Sequence, residues 1–333
     1  FKWLKVVSLL FLTPQYAVLI LTMRYVRTLP GPKFVTSTTV LLAELVKTAV
    51  CFLVILVQKR GPRGFVNEVY EHLVCRPWDY AKVCLPSLMF VIQNNLVFVA
   101  VSNLDAATFQ VTYQLKILTT AVFSVILLDK QLSRAQWFAL LLLFLGESII
   151  QVQSARSSVN GTGTGTQNQN PVRGLVAVLV CCCLSGFASV YFERILKGGQ
   201  QSLWIRNIQL GSSGAVFGAI AVTLADRREG FFYGYDWVVW VVVALQSVGG
   251  LLVATVMKYA DNILKGFSTA GAILLSCVAS VMLFDFHASP EFLIGTLLVL
   301  VSLYMYNVFP RHDFVIQPKT IPLFNEAARQ TKE

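Results

Sequence analysis

The chain has 333 residues, of which 56% are hydrophobic and only 13% are charged, and its mean hydropathy is +0.65. Soluble domains carry roughly a quarter charged residues, so this composition excludes an ordinary soluble protein and indicates one that crosses a membrane several times. The formal net charge of +10 is informative mainly through its distribution, because basic residues decide how membrane spans are oriented.

Apolar windows of about 20 residues, the length that crosses the hydrocarbon core of a bilayer, recur along the whole chain. They predict ten membrane-spanning helices, five on each side of one polar break. That break is rich in Ser, Gly, Thr, Asn and Gln and is typical of a flexible linker. The ten windows are residues 4–25, 34–57, 80–102, 106–128, 134–153, 173–194, 204–225, 237–258, 266–285 and 291–309.

Basic residues predict the orientation of these helices, because Lys and Arg are enriched in cytosolic segments. Of the 27 Lys and Arg residues, 17 lie on the side of the N-terminus and 7 on the opposite side, which places both termini in the cytosol. The N-glycosylation sequon Asn160-Gly161-Thr162 then lies on the lumenal side.

Each half contains an odd number of spans, so the two halves are expected to run in opposite directions through the membrane, as inverted repeats. The predicted fold class is an all-α integral membrane protein with ten transmembrane helices in two inverted five-helix repeats. We expect the first repeat at 1–153, a lumenal linker at 154–172, the second repeat at 173–309 and a cytosolic tail at 310–333.

Two lysines lie 149 residues apart in apolar stretches: Lys116 is inside the predicted fourth span, and Lys265 directly precedes the predicted ninth. Both follow a leucine and precede a similar tripeptide: Leu115-Lys116 with Thr119-Thr120-Ala121, and Leu264-Lys265 with Ser268-Thr269-Ala270. A charge inside the bilayer is costly unless it faces a cavity or a partner. We interpret the pair as a central anion site shared by the two repeats. The alternative is that both ammonium groups reach the cytosolic surface along their helices.

Amides and polar side chains in neighbouring spans are further candidates for a binding site. Asn94 and Asn95 lie in mid-span, where amides either read the edge of a nucleobase or hydrogen-bond to neighbouring helices. Gln110 and Tyr113 form a polar belt just before the first lysine, and Asn207 has a similar place in the seventh span.

Small residues and isolated charges leave alternatives open. Gly211 and Gly249 either allow close helix packing or leave room for a bulky ligand. Glu44 and Lys47 are three residues apart on one helical face, so they can neutralise each other as an internal ion pair. Glu147 is an isolated acid in the fifth span, and one interpretation is that it lies near the lumenal end of that span, in contact with water.

The sequence offers no set of residues for catalysis or metal binding. Its seven cysteines are odd in number, lie mostly in apolar segments and form no Cys-x-x-Cys or Cys/His pattern, so they are expected to be small packing residues. No phosphate-binding loop, nucleophile elbow or His-Glu-x-x-His motif is present. We therefore predict a protein that is not an enzyme and that needs no cofactor or metal.

Several long motifs resemble the Golgi nucleotide-sugar transporters, and the similarity covers the chain from about residue 3 to 309. They are Gln93-Asn94-Asn95, Ser102-Asn103-Leu104-Asp105-Ala106-Ala107, Gln110-Val111-Thr112-Tyr113-Gln114-Leu115-Lys116, Gly186-Phe187-Ala188, Val190-Tyr191-Phe192-Glu193, Trp204-Ile205-Arg206-Asn207-Ile208-Gln209, Gly230-Phe231-Phe232-Tyr233-Gly234-Tyr235 and Lys258-Tyr259-Ala260-Asp261-Asn262-Ile263-Leu264-Lys265-Gly266-Phe267. Motifs of this length are far more specific than any single spacing.

The resemblance implies the ten-helix drug/metabolite transporter fold in the Golgi membrane. It also implies antiport, in which a nucleotide sugar enters the lumen while a nucleoside monophosphate leaves. Lys116 and Lys265 match the family's phosphate-binding lysines, and Asn94, Asn95, Tyr113 and Asn207 match residues near the nucleoside. The expected partners are a UDP-sugar, UMP and membrane lipid, with a homodimer or association with glycosyltransferases as further possibilities and no nucleic acid.

The substrate within the family is narrowed by smaller motifs. Gly211 favours the UDP-sugar branches, because the CMP-sialic acid branch tends to have a bulky aromatic residue there. Thr108-Phe109 and Phe286-His287 look most like UDP-galactose transporters, which lead over UDP-N-acetylglucosamine and UDP-N-acetylgalactosamine. Glu147 departs from both UDP-sugar branches, where an apolar residue is usual, and leaves the sugar open. A partner protein of Golgi glycosyltransferases that does not transport is the alternative from another class.

Overall fold

A computed structural model describes residues 2–28, 34–59, 61–104, 106–159, 170–199, 201–224, 230–284 and 290–309. Within these ranges the chain forms twelve α-helices and one short π-helical turn, Glu71–Cys75. The helices are α1 Lys2–Thr28, α2 Thr36–Gln58, α3 Pro62–Tyr70, α4 Pro77–Asn103, α5 Ala106–Tyr113, α6 Lys116–Leu128, α7 Arg134–Val159, α8 Pro171–Gly198, α9 Leu203–Leu224, α10 Trp237–Tyr259, α11 Asn262–Phe284 and α12 Pro290–Val308.

Local sequence explains where many of these helices begin. Pro77 and Pro171 start α4 and α8, a position where the missing N–H of proline costs nothing. Asn170 and Asp236 cap α8 and α10, since their side chains accept hydrogen bonds from the backbone N–H three residues on, at 3.2 and 2.9 Å. Between these points the apolar runs form helix because lipid leaves each backbone group to be satisfied within the segment.

Membrane character is confirmed by the described helices. Six of them contain stretches long and apolar enough to cross a bilayer: Val6–Met23, Ser37–Gln58, Val111–Leu128, Pro171–Gly198, Trp237–Tyr259 and Pro290–Val308. Large apolar side chains on their outer surfaces stay exposed, as with Leu293 and Leu297 of α12, at 61% each. Such a surface is stable when it faces lipid.

The polar linker predicted at 154–172 is shorter on both sides than the composition indicated. Helix α7 continues to Val159 and α8 begins at Pro171, so helix enters the predicted linker from each end. The sequon at Asn160 and the predicted tail at 310–333 lie outside the described residues. An additional short helix, α3, and the π-helical turn that follows it lie between α2 and α4, in a segment where the hydropathy pattern predicted no span.

The predicted fourth span is interrupted in the middle. Helix α5 ends at Tyr113 and α6 begins at Lys116, with a tight turn closed by i to i+3 bonds from the Gln114 and Leu115 N–H groups, at 3.2 and 3.1 Å. The break leaves carbonyl groups of α5 without helical partners. The one hydrogen of the Cys182 thiol of α8 is shared between the Tyr113 carbonyl, 3.5 Å from the sulfur, and the Thr112 carbonyl, 3.6 Å away, which also accepts the Leu115 N–H.

The contacts between the helices of the two halves show an internal symmetry. Helix α7 packs on α12 and α2 on α9; α4 packs on α8 as α1 does on α10; α6 packs on α8 as α1 does on α11; and α4 packs on α9 as α2 does on α10. The set of contacts stays the same when each helix is exchanged with its counterpart in the other half: α1 with α8, α2 with α9, α4 with α10, α6 with α11 and α7 with α12. The pattern is what two repeats related by a pseudo-two-fold axis would produce.

Helices α7 and α12 approach most closely at a pair of glycines. A Cβ atom on Gly146 would lie 2.8 Å from the Gly295 carbonyl oxygen, and a Cβ on Gly295 would lie 2.9 Å from the Gly146 carbonyl oxygen. The two glycines have the same sequence spacing as Lys116 and Lys265. Only glycine permits this backbone contact, so the crossing depends on both residues.

Replacing Gly295 by alanine is therefore expected to separate α7 from α12 and lower the melting temperature of the detergent-solubilised protein. The methyl group meets backbone, which cannot move aside as a flexible side chain would, so overpacking costs about 1–3 kcal/mol. Gly266→Ala in α11 is the matched control, because nothing lies within 4 Å of its added Cβ. Equal melting temperatures for the two variants would contradict the proposed close contact.

Candidate functional site

A cavity of about 610 Å³ runs between α2, α4, α9 and α10. Its wall follows α9 from Asn207, near the beginning of that helix, to Val222, near its end, a distance of about 22 Å. Tyr113 of α5 and Phe192 of α8 complete the lining. A volume in this range suits a drug-sized ligand, for which pockets span roughly 300–1,000 Å³.

Carboxamides supply polar groups on opposite walls of the cavity. Asn94 and Asn95 of α4 are exposed to it, and Asn207 of α9 lines it while being fully buried in the protein. The Asn207 Nδ2 donates to the Leu203 carbonyl at 2.9 Å, whereas its Oδ1 has no hydrogen-bond partner among the described residues. A buried acceptor without a partner is costly, so this oxygen is suited to receive a hydrogen bond from a ligand.

The ion pair between Glu44 and Lys47 is formed and lies on the cavity wall. Its Nζ–Oε2 distance is 2.5 Å, and the Lys47 side chain is only 5% exposed. Gly250 of α10 lies opposite, where an added Cβ would come 3.1 Å from the Lys47 Cδ. The sequence predicted the pair but did not place it in the site. A charged pair in the middle of a span was the signal that could have done so.

Lys116 lies directly behind the Tyr113 wall of the cavity. Its Nζ is 4.4 Å from the centre of the Tyr113 ring, a cation–π distance. The Tyr113 hydroxyl accepts a hydrogen bond from Gln93 Nε2 at 3.2 Å, which fixes the ring. Because the helix break makes Lys116 the first residue of α6, its ammonium group lies beside a helix N-terminus, where anions are favoured.

Lys265 has a similar position in the second half. It lies in the first turn of α11, is half-buried, and has Glu193 and Lys116 as its electrostatic neighbours. The structure thus brings the two predicted lysines into one charged region. Neither of them lines the cavity itself, which ends at Tyr113 and Phe192.

Glu147 is buried rather than in contact with water, since only 5% of it is exposed. The interpretation that it contacts water near the lumenal end is wrong, because the folded protein encloses this side chain. Lys116 is the charged group that acts on it electrostatically. Each of the two lysines therefore has one buried carboxylate in its neighbourhood.

The remaining predicted residues do not face the cavity or are not described. Gly211 packs against Thr48 and Glu44 of α2, and Gly249 packs against the Gln15 amide of α1, so both serve close helix contacts in this conformation. The side chain of Gln110 lies outside the described residues. The glycines that line the cavity are Gly214, Gly218 and Gly250.

The cavity is lined by amides, an ion pair and aromatic rings, and two lysines lie near it. Such an arrangement can hold a polar molecule that carries an anionic group. The described residues contain no cluster of His, Cys, Asp or Glu that could hold a metal ion. A family profile with the description nucleotide-sugar transporter matches residues 2–307.

The chain belongs to the nucleotide-sugar transporter family.

Individual relatives agree with this membership. The chain is 51% identical to the UDP-galactose translocator of Mus musculus over 310 residues, which cover 92% of this chain and 78% of that protein. It is 46% identical to the UDP-N-acetylglucosamine transporter of Mus musculus over 316 residues, which cover 92% of this chain and 96% of that protein. A solved crystal structure, 17% identical, has a TM-score of 0.64 and covers 93% of this chain and 96% of that chain, so the two share a fold.

As a member of the nucleotide-sugar transporter family, the protein is a transporter and not an enzyme, as the sequence predicted. A nucleotide sugar combines a planar base, two phosphates and a neutral sugar. The cavity offers amides for polar edges and aromatic rings for flat surfaces, and the lysines offer positive charge for the phosphates. The predicted site residues are thus distributed over a cavity wall and a charged region next to it.

Proposed function

We propose that this chain carries UDP-galactose into the Golgi lumen in exchange for UMP, by alternating access of two inverted five-helix repeats. The observation that carries the proposal is the approach of Lys116 and Lys265, one from each half, to one end of a cavity with an amide-rich wall. Family membership and the UDP-galactose translocators at about 51% identity support the substrate class.

The phosphates are assigned to the lysines on electrostatic grounds. A diphosphate that leaves water for a low-dielectric site needs compensating positive charge, and two ammonium groups supply it. Both lysines lie in the first turn of a helix, α6 or α11, and the helix dipole adds partial positive charge there. A monophosphate satisfies the same groups, so both partners of the exchange can use one site.

The nucleoside is assigned to the amide-lined part of the cavity. Asn207 Oδ1 is free to accept a hydrogen bond, and Asn94 and Asn95 face it from α4. A uracil ring presents donors and acceptors along its edge, which carboxamides match in pairs. The Glu44–Lys47 pair adds one donor-rich and one acceptor-rich group to the same wall. Tyr113 then separates this part from the lysines.

The ten-helix inverted-repeat architecture belongs to the same proposal. It is supported by the symmetric set of helix contacts between the two halves and by the matched glycines where α7 crosses α12. In this arrangement α5 and α6 form one interrupted span, repeats 1–153 and 173–309 flank the linker at 154–172, and both termini face the cytosol. One repeat bundle rocks over the central site to expose it to each side in turn.

The sugar is the finer part of the proposal. Identity of 51% to a UDP-galactose translocator against 46% to a UDP-N-acetylglucosamine transporter favours galactose. UDP-N-acetylglucosamine is the second candidate, followed by UDP-N-acetylgalactosamine and then CMP-sialic acid. A homodimer and association with Golgi glycosyltransferases are compatible with transport. The alternative from another class is a partner protein of those enzymes that binds but does not exchange.

Counterflow into proteoliposomes tests the function. Vesicles preloaded with UMP should take up UDP-galactose faster than UDP-N-acetylglucosamine, UDP-N-acetylgalactosamine or CMP-sialic acid, since preloaded UMP drives one-for-one exchange. Vesicles without UMP and vesicles without protein are the controls. Faster uptake of another UDP-sugar would replace galactose and keep the mechanism. Binding of nucleotide without any UMP-dependent uptake would favour the non-transporting partner protein.

A further inference from the structure

A network of charged groups joins three helices on the side of the molecule where α8 and α10 end. Lys130, just after α6, donates to Asp261 Oδ2 at 2.8 Å. Lys197 of α8 donates to Glu193 Oε1 at 2.6 Å and to the Ala260 carbonyl at 2.5 Å. We call the segments that these contacts connect, the end of α8 and residues 258–266, the α8–α11 junction.

Glu193 is the centre of the junction. Only 2% of it is exposed, and its Oε2 accepts two hydrogen bonds from Asn262, from the backbone N–H and from Nδ2, both at 2.9 Å. Asn262 is the first residue of α11, and its Nδ2 also donates to the Ser189 carbonyl at 2.7 Å. One carboxylate on α8 thus holds the beginning of α11 in place.

Lys265 follows in the same turn of α11. Its backbone N–H donates to the Asp261 carbonyl at 3.0 Å, so its position depends directly on the junction. Glu193 is the acidic group that acts on it electrostatically. Glu193 therefore has two roles at once: it binds Lys197 and Asn262, and it compensates the charge of Lys265.

The junction lies immediately beyond one end of the cavity. Phe192 and Met257 line that end. Glu193 follows Phe192 directly and Ala260 lies three residues after Met257, just past α10, and both belong to the network. In the proposed topology this is the cytosolic side. A change in the junction would therefore change access to the cavity from that side.

We propose that Glu193 is a positioning residue that couples the occupancy of the phosphate site to the α8–α11 junction. The proposal rests on the proposed function, because it takes Lys265 as a phosphate ligand. In the nucleotide-free protein Glu193 compensates Lys265 and holds the junction closed. A bound phosphate takes over that compensation, weakens the hold of Glu193 on the start of α11 and releases the junction.

Competition between two anions for one cation is the physical basis of this switch. A carboxylate and a phosphate both carry negative charge, and in a partly buried site their repulsion is only weakly screened. With phosphate on Lys265, the favourable interaction between Lys265 and Glu193 is offset by repulsion between Glu193 and the phosphate. The charge-assisted hydrogen bonds of the junction remain, but the attraction between Lys265 and Glu193 no longer stabilises their arrangement.

Glu193→Gln tests the competition directly. Glutamine keeps an acceptor oxygen for the Asn262 N–H but removes the charge, so UMP should bind tighter, on the order of tenfold, as measured by isothermal titration of the purified full-length chain. Hydrogen exchange of residues 258–266 should rise in wild type when UMP is added, and it should already be high in Glu193→Gln. Such loosening is opposite to the protection that a ligand ordinarily confers.

Lys130→Met opens the junction without touching the carboxylate. It should raise hydrogen exchange at 258–266 in nucleotide-free protein and, because the coupling between the junction and the phosphate site is reciprocal, UMP should bind more tightly than to wild type. Lys59→Met is the matched control, since it breaks the Lys59–Glu68 pair, also 2.8 Å long, and should leave the junction unchanged.

The two levels of the proposal fail in different ways. Unchanged UMP affinity in Glu193→Gln, or UMP-induced protection of 258–266 in wild type, would overturn the switch and leave the transporter intact. Hydrogen exchange at 258–266 that is no faster in Lys130→Met than in wild type would also overturn the switch. No UMP binding by wild type would overturn the proposed function, and the switch with it.

Discussion

Replacing Lys116 or Lys265 by alanine is expected to weaken UMP binding by roughly 10- to 100-fold, and replacing both should abolish it. Each lysine is assigned a charge-assisted contact with phosphate, and loss of such a contact costs about 1.5–3 kcal/mol. The measurement is the rise in melting temperature on adding UMP to detergent-solubilised protein. Each variant is compared with itself, so differences in the stability of the nucleotide-free protein do not enter.

Lys59→Ala is the control for this experiment. Lys59 lies just after α2, pairs with Glu68 at 2.8 Å, and does not line the cavity. Its removal lowers the net charge of the protein as much as removal of a site lysine does, yet UMP should stabilise it as well as wild type. Full UMP-dependent stabilisation of both Lys116→Ala and Lys265→Ala would contradict the assignment of these lysines to phosphate.

Breaking the ion pair on the cavity wall is expected to destabilise the nucleotide-free protein. Lys47→Met leaves the Glu44 carboxylate without its partner, and the free energy of unfolding should fall by about 1–3 kcal/mol. The estimate stays below the full cost for a buried pair because the Glu44 side chain is 30% exposed and keeps some access to water. The measurement is the melting temperature of the nucleotide-free protein.

Two further variants show whether the missing partner is the cause. Glu44→Gln/Lys47→Met removes both charges and should recover most of the lost stability, since no uncompensated charge remains. Lys82→Met is the matched control: Lys82 pairs with Asp79 at the same i, i+3 spacing, at 3.2 Å, but on the exposed surface, where a pair contributes little. A double variant as unstable as Lys47→Met would show that packing of the lysine stem, rather than its charge, is what matters.

Glu147 gives the anion site a feature that the family resemblance did not predict. Where the related UDP-sugar branches have an apolar residue, this chain buries a carboxylate within electrostatic range of Lys116. Glu193 has the corresponding relation to Lys265. Each of the two lysines therefore interacts electrostatically with one buried acid, so a phosphate bound there, as we propose, would compete with these carboxylates for the lysines.

Part of the candidate site was predictable from the sequence because charged and amide residues are rare in apolar spans. That rarity identified Lys116, Lys265, Asn94, Asn95 and Asn207 without any knowledge of the fold. Whether each of these residues binds substrate stays a prediction. The pattern could not decide which glycines line the cavity, because a small residue in a span is equally compatible with helix packing and with a cavity wall.

The structure decided between those two roles by showing what faces each glycine. Gly211 and Gly249 meet side chains of neighbouring helices, whereas Gly214 and Gly218 face the cavity. All four lie in similar apolar surroundings along the chain. Gly211, Gly214 and Gly218 share one face of α9, and their roles differ because a Cβ on Gly211 would clash with the Thr48 hydroxyl, whereas the nearest atoms to a Cβ on Gly214 or Gly218 would be 3.3 and 3.6 Å away.

The sequence by itself determined that this protein is an integral membrane protein and a nucleotide-sugar transporter, because composition, hydropathy and motif identity are properties of the chain alone. Only the tertiary structure decided that the fourth apolar segment breaks before Lys116. The segment is apolar on both sides of the break and contains no proline or glycine there. The turn at the break is closed by local backbone hydrogen bonds and by the Cys182 thiol of α8, and this second contact exists only once α8 has packed against α5 and α6.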